Sequence, residues 1–284
     1  MRVLRLHKPL DMRFSDESAP VPEAGEGLLR VASVGVCASD VHYYREGRIG
    51  DQVVERPTIM GHEFSAVVEA LGPGVDSLAV GDRVAIEPGK SCGSCPSCRR
   101  GYTNLCSNIV FFGTPPIDGC LRELLTWPAS LCVKIADSVS LDEAAMIEPL
   151  AVGIYAAELA RMAGGESVAV LGFGAIGLSV MQGARVAGAG RVIVTEPIPE
   201  RREIARQLGA DTVLDSNDPD CEKRILAETG DGADVVFECA GTPDAVWATT
   251  SLVKPEGKIV VVGIPEEDQY CFHASLCRRR EVNV

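Results

Sequence analysis

No apolar run in this sequence is long enough to span a bilayer, so a membrane-spanning helix is not expected. The opening stretch MRVLRLHKPLDMRF has neither the apolar core nor the cleavage site of a secretory signal, and a cytoplasmic location is the expectation. Positive charge is also in short supply. Lys and Arg number 27 against 40 Asp and Glu, a formal charge of −13. That balance argues against a nucleic-acid or anionic-membrane partner, since both select basic patches. Low-complexity tracts and tandem repeats are absent as well. At 46% hydrophobic and 24% charged residues, the chain can bury an ordinary core. Its 284 residues suit two domains better than one.

Cysteine, by contrast, is plentiful: there are 11, an odd number. In a reducing compartment they do not suggest a disulfide framework. Six are scattered (Cys120, Cys132, Cys221, Cys239, Cys271, Cys277) and are expected to be inert structural filler. Four crowd into GKSCGSCPSCRRGYTNLC: Cys92, Cys95, Cys98 and Cys106, spaced C-x2-C-x2-C-x7-C. Four thiolates can close a tetrahedral shell around Zn²⁺ with no position left for substrate, which makes such a site structural. An iron–sulfur cluster could use the same ligands. Zinc is preferred, because this polar loop needs only a staple and nothing nearby suggests electron transfer.

The chain has two rhythms. Residues 1–150 read as strands and turns, with LLRVASVGV, SAVVEALG and DRVAIEPG separated by Gly, Pro and Asp. Residues 151–284 alternate short apolar runs (SVAVLGFG, RVIVTEP, ADTVLD, ADVVFECAG, KIVVVGIP) with helical stretches such as AIGLSVMQGARVAGA. This is the pattern of a parallel sheet covered by helices. The fold class expected is therefore α/β plus β.

The first run of the second half leads into Gly172-Phe173-Gly174-Ala175-Ile176-Gly177, a GxGxxG between strand and helix. Gly172 permits the tight turn, Gly174 lets backbone approach a pyrophosphate, and Gly177 lets helix pack on sheet. Glu196 ends the next strand, where a carboxylate can accept from ribose hydroxyls and repel a 2′-phosphate, so NAD is favoured over NADP. Arg201 qualifies that preference, because a nearby Arg can accommodate a 2′-phosphate.

A dispersed set remains: Cys37 in VGVCASD, His62 and Glu63 in MGHEF, and Glu148 in MIEPL. One Cys, one His and a carboxylate make an open catalytic zinc site. Each piece alone is weak; the nicotinamide fold beside them gives the combination force. Read alone, His42 is an exposed polar residue on a loop after Asp40, and Tyr43 is core.

The chain resembles the zinc-dependent medium-chain dehydrogenases, and within them the polyol (sorbitol-like) dehydrogenases. The likeness runs almost end to end, through VCASDVHYYREGRIGD, PTIMGHEFSAVVEALG, GDRVAIEPG, the four-cysteine loop, FFGTPPIDG, IEPLAVGIYA and GFGAIG. Ala66 departs from the glycine usual after the His-Glu pair, the smallest change available. The resemblance implies a GroES-like catalytic domain over 1–150 and a doubly wound Rossmann domain over 151–284. It implies two zincs per chain, one held by Cys37, His62 and Glu63 with Glu148 beside it, and one held by the four cysteines. It implies a substrate contact at Tyr43 and a proton relay through Ser39 and His42. It also implies cofactor contacts at Ile176, Glu196, Arg201, Val262, Gly263 and Ile264. The reaction implied is oxidation of a polyol's secondary alcohol to the ketose, with hydride transfer to NAD. Relatives acting on threonine, butanediol or sugar acids share these motifs, and a silent NAD-binding or structural zinc protein is the alternative of another class. A homo-oligomer is implied for the complete chain. Only five strands are legible in the second half, where this fold normally has six. The last residues, Glu281-Val282-Asn283-Val284, look like the first of a sixth, whose remainder and closing segment are expected beyond Val284, leaving an exposed apolar edge here.

Overall fold

A computed structural model of the chain describes residues 1–265 and 269–284. Two compact units are present, Met1–Glu148 and Pro149–Val284. The sequence puts the change of rhythm at residue 150. In the structure it falls in the first turn of a helix, Ile147–Leu159. Pro149 does not break that helix, because an N–H in the first turn has no intrahelical acceptor to lose. No helix among the described residues is long and apolar enough to cross a membrane.

The first unit is built on a five-stranded antiparallel sheet in the order Leu124–Pro128, Glu26–Val34, Phe64–Leu71, Arg83–Ile86, Cys132–Lys134. Its inward residues, among them Leu29, Phe64, Ala66, Val68, Val84 and Leu125, form one buried cluster with Phe112 and Trp127. Phe112 sits edge-on to Trp127 at 4.3 Å between ring centroids, and the indole N–H donates to the Glu87 carbonyl at 2.9 Å. The polar end of the largest core side chain is thus satisfied. Ala66 is fully buried in the central strand, opposite Val31 and Val84.

One helix of this unit departs from the sequence reading. Residues Ala38–Glu46 are helical, not a loop. Asp40 starts the helix by accepting from the Cys37 N–H at 3.1 Å, and Gly47 ends it at φ +74° with its N–H on the Tyr43 carbonyl. The caps define a helix whose sequence, ASDVHYYRE, has little amphipathic pattern.

The second unit holds five parallel strands in the order Thr212–Leu214, Arg191–Thr195, Ser167–Leu171, Ala233–Glu238, Val253–Val261. Val168 and Val170 enter one core cluster, while Ala169 and Leu171 enter another. With successive side chains alternating, both faces are covered, which explains the unbroken apolar runs. The outer edge of Val253–Val261 is not bare: the Ile259 N–H donates to the Asn283 carbonyl at 2.7 Å, and Asn283 donates to Gly257 at 3.1 Å. Of the scattered cysteines, Cys120, Cys132 and Cys221 are buried, and Cys239 and Cys277 are partly so. Cys271 is exposed, on the irregular stretch before the helix Ala274–Arg280, where the neighbouring Phe272 is the residue that packs against the core.

Candidate active site and metal centres

Cys37 sits at the turn into the helix Ala38–Glu46, and His62 and Glu63 lead into the strand Phe64–Leu71. One ligand atom from each lies within 4.8 Å of the others. Two glycines allow this approach. Gly61 has φ +91°, and a Cβ at Gly35 would stand 2.2 Å from Glu63 Oε2.

Burial pushes the Cys37 thiol up to about 11 and also raises the Glu63 carboxyl. It lowers His62, leaving a neutral imidazole with a lone pair to give. No Lys or Arg is paired with any of the three among the described residues. With no cation beside them, the Cys37 thiol and Glu63 carboxyl are held toward their protonated forms, and a divalent cation would favour the ionised forms that bind it. One sulfur, one nitrogen and one oxygen donor suit Zn²⁺ with a position left open.

Asp40, which the sequence marks only as a loop position, lies beside this cluster. Its Oδ1 accepts from the Gly61 N–H at 3.0 Å and stands 4.0 Å from His62 Nδ1. Its Oδ2 accepts from the Cys37 N–H. One buried carboxylate thus ties together the two segments that carry the donors. Its only sequence signal is an acidic residue three positions after Cys37, where it reads as an ordinary cap.

Glu148 is partly buried, and its carboxyl is pushed up to about 7, first by burial and then by Glu63, Glu87 and Asp40. Ser39 and His42 both lie on the helix Ala38–Glu46, with no hydrogen bond between them among the described residues. His42 Nδ1 is 3.9 Å from Glu46 Oε1. Tyr43 is 2% exposed and packs in a cluster with Leu6 and Met60. Its hydroxyl donates to Gln52 Oε1 at 2.9 Å.

The four cysteines of the 89–106 segment also converge, each sulfur within 4.8 Å of the rest. None is in a disulfide. Backbone N–H groups point at the sulfurs: Cys92 N to Cys106 Sγ at 3.3 Å, Cys95 N to Cys92 Sγ at 3.3 Å, and Asn108 N to Cys106 Sγ at 3.4 Å. The Ser94 and Cys95 backbone, with the Ser94 hydroxyl, holds the Cys92 thiol below its ordinary value. Preformed donors of this kind stabilise thiolates, the form that binds a metal. The four sulfurs fit a closed zinc shell.

In the second unit, Gly172 has φ +91°, and a Cβ there would stand 2.9 Å from the Ala240 backbone. A Cβ at Gly177 would stand 2.0 Å from the Gly172 carbonyl. Gly174 caps the helix Ala175–Val186, whose first N–H groups face the turn. Ile176 is partly buried behind them. Glu196 Oε2 accepts from the Phe173 N–H, and Arg201 Nη1 is 3.8 Å from Oε1. A shallow cavity beside them is lined by Phe173, Gly174, Ala175, Leu178, Arg201 and Ile204. Val262, Gly263 and Ile264 follow the strand Val253–Val261, at the carboxyl end of the sheet. A dinucleotide fits this turn, where the missing side chains clear the backbone and the helix end is aimed at a phosphate.

Comparison with known proteins agrees with the geometry. Residues 175–284 match the zinc-binding dehydrogenase family, and residues 23–137 match the alcohol dehydrogenase GroES-like domain. Sorbitol dehydrogenase of Bacillus subtilis (strain 168) is 38% identical, over 100% of this chain and 81% of its own length. L-idonate 5-dehydrogenase of Vitis vinifera is also 38% identical, over 84% of this chain and 67% of its own. Among solved structures, an Escherichia coli oxidoreductase/dehydrogenase of unknown specificity superposes with a TM-score of 0.93 at 34% identity, covering 99% of this chain and 82% of that one.

Proposed function

The chain belongs to the zinc-dependent medium-chain dehydrogenases, in the polyol branch, and we propose that Cys37, His62 and Glu63 form the open metal centre of its reaction. It is a zinc- and NAD-dependent enzyme that oxidises a secondary alcohol of a polyol to the ketose. The observation that carries the assignment is the convergence of three unlike donors within 4.8 Å. Zinc bound there supplies Lewis acidity that eases loss of the substrate's hydroxyl proton.

The chain's own residues would do the rest. Asp40 holds the Cys37 and Gly61 backbones and so fixes the donors' directions. Glu148, with its carboxyl near 7, can take up or release a proton at working pH. Ser39 and His42 stand three apart on one helix, so their side chains share a face, which supports a proton path past them. Tyr43 donates to Gln52, and a phenolic oxygen has lone pairs with which it could also accept from a polyol hydroxyl.

In the second unit, Gly172, Gly174 and Gly177 would admit the pyrophosphate, with Ile176 and the Val262–Ile264 stretch forming apolar and backbone contacts. Glu196 would favour NAD by accepting from ribose hydroxyls, and Arg201, 3.8 Å from its Oε1 and lining the cavity beside Gly174, would be a further cofactor contact. The four-cysteine shell would hold a second, structural zinc. A homo-oligomer and a cytoplasmic location belong to the same reading.

Elemental analysis, together with NADH production from a panel of sugar alcohols, diols, sugar acids and threonine, tests the reading. Two zincs per chain and turnover on a sugar alcohol are expected. One metal, iron, or turnover confined to threonine would overturn it. Sugar acids belong in the panel because the L-idonate enzyme is as similar as the sorbitol enzyme.

A further inference from the structure

Glu238 ends the strand Ala233–Glu238 fully buried, with no Lys or Arg paired to it among the described residues. A carboxylate so placed is costly unless hydrogen bonds replace its water. Here the backbone supplies them. Oε1 accepts from the N–H of Ala240 at 2.8 Å and of Gly241 at 2.7 Å. Among the described residues Oε2 has no hydrogen-bond partner, and it lies against Gly263, where a Cβ would stand 2.6 Å from it. The main-chain carbonyl of the same residue accepts from Val262 at 2.8 Å and Gly263 at 3.0 Å. One residue therefore grips the turn after its own strand and the turn after the neighbouring strand.

Those turns also touch each other and the glycine turn. A Cβ at Gly241 would stand 2.3 Å from the Ile264 carbonyl, and one at Gly263 would stand 2.3 Å from the Gly241 nitrogen. Gly172 meets the Ala240 backbone on the other side. All three turns leave the carboxyl ends of adjacent parallel strands, Ser167–Leu171, Ala233–Glu238 and Val253–Val261. An open α/β sheet binds its ligand at those ends. Ala240 and Ile264 are exposed there, while Glu238 is buried.

We propose that Glu238 is a positioning residue for the dinucleotide: its carboxylate holds the 240–241 turn and its main-chain carbonyl the 262–264 turn, both against the Gly172 turn, and so shapes the cleft that receives the cofactor. The inference rests on the cofactor reading above. Glutamine has the same shape, but one of its ends is an NH₂ group. That group must face either the two N–H donors or the Gly263 backbone, where Oε2 now lies without a hydrogen bond among the described residues.

The test is titration of the zinc-loaded full chain with NADH, followed by nucleotide fluorescence, for the parent, Glu238→Gln and Gly263→Ala. Both variants are expected to raise the Kd for NADH at least about tenfold, a loss of about 1.4 kcal/mol, with zinc content unchanged. A purely structural role would lower Tm and leave the Kd of the folded protein alone. A folded Glu238→Gln protein that binds NADH within about twofold of the parent overturns the proposal and leaves the cofactor reading standing. A parent that does not bind NADH removes both. Hydrogen exchange on the parent decides the matter if the variants do not fold. NADH must slow exchange in residues 239–241 and 262–264 together, and unchanged exchange in either turn overturns the proposal.

Discussion

The carboxylate of Glu196 accepts the Phe173 N–H at 2.7 Å, tying the end of one strand to the middle of the glycine turn after another. Its second oxygen accepts from the Ile198 N–H at 3.1 Å, and the side chain is almost wholly buried. Each oxygen has a further lone pair, so the same group can brace the turn and receive ribose hydroxyls.

Glu196→Ser should therefore act on both tasks. A hydrogen bond to a charged group contributes about 1.5–3 kcal/mol, so kcat/KM for NAD should fall roughly 10- to 100-fold. NADP should lose less, because removing the carboxylate also removes its repulsion of a 2′-phosphate while Arg201 stays. Measuring kcat/KM for both cofactors checks this. Equal values for the two in the unmodified protein would refute the argument.

The two candidate metal centres should separate cleanly under mutation. Cys95→Ser should remove one zinc, loosen the 89–106 segment and lower Tm, because a closed shell contributes folding energy. The other zinc, and measurable turnover, should remain. His62→Ala should do the reverse, abolishing turnover with little change in Tm. Metal analysis beside a thermal melt reads both outcomes. Loss of both metals in Cys95→Ser would mean the centres are not independent.

How much of this was legible depends on how local the chemistry is. The four cysteines and the GxGxxG turn declare themselves because their spacing is short and each residue type has one strong physical reason to be there. Cys37, His62 and Glu63 are separated along the chain, and only a resemblance could join them; the structure brings their donors together. Asp40 and Glu238 went unread for a shared reason. Each accepts backbone N–H groups from other segments, and a carboxylate that does so looks in sequence like a helix cap or a surface charge. The helix Ala38–Glu46 was missed because its caps, and not an apolar stripe, define it. Residues 281–284 read as the start of a sixth strand, and Asn283 does pair in parallel with Lys258; what the sequence does not show is that this one residue already covers part of the edge of Val253–Val261.

Asp211 gives a pH test away from any metal. Its Oδ2 accepts from the Val192 N–H at 2.6 Å and from Arg185 Nη2 at 2.6 Å. Burial pushes this carboxyl up, but the Val192 N–H and Arg185 together outweigh it, so it lies below its ordinary value. The unfolded chain then binds the proton more readily than the folded one. Its stabilisation is complete above the unfolded value of about 3.9 and is lost as pH falls through the folded value. The side chain is 39% exposed, so solvent screening trims the effect to roughly 1 kcal/mol. Asp211→Asn should lower Tm near neutral pH, with the gap closing as pH drops below about 4. Thermal melts across that range decide it, and a gap independent of pH would sink the argument.

Gly153 tests how closely the second unit's helices must approach. A Cβ there would stand 2.2 Å from the Ser179 backbone, and one at Gly183 would stand 2.6 Å from the Gly153 carbonyl. The helices Ile147–Leu159 and Ala175–Val186 therefore meet backbone to backbone, with Ser179 buried between them and its hydroxyl turned onto the Ala175 carbonyl at 2.8 Å. In a free helix, alanine would be favoured over glycine by about 1 kcal/mol. Here the neighbour is backbone and cannot rotate away, so the helices must part, at about 1–3 kcal/mol for the overpacking. The opposed effects leave Gly153→Ala neutral at best and destabilised by up to about 2 kcal/mol, or several degrees in Tm. The second helix begins at the glycine turn, so displacing it should also weaken NADH binding. That second readout separates the contact from propensity: a higher Tm with unchanged NADH affinity would mean that the helices can part without cost and that propensity alone decides the outcome.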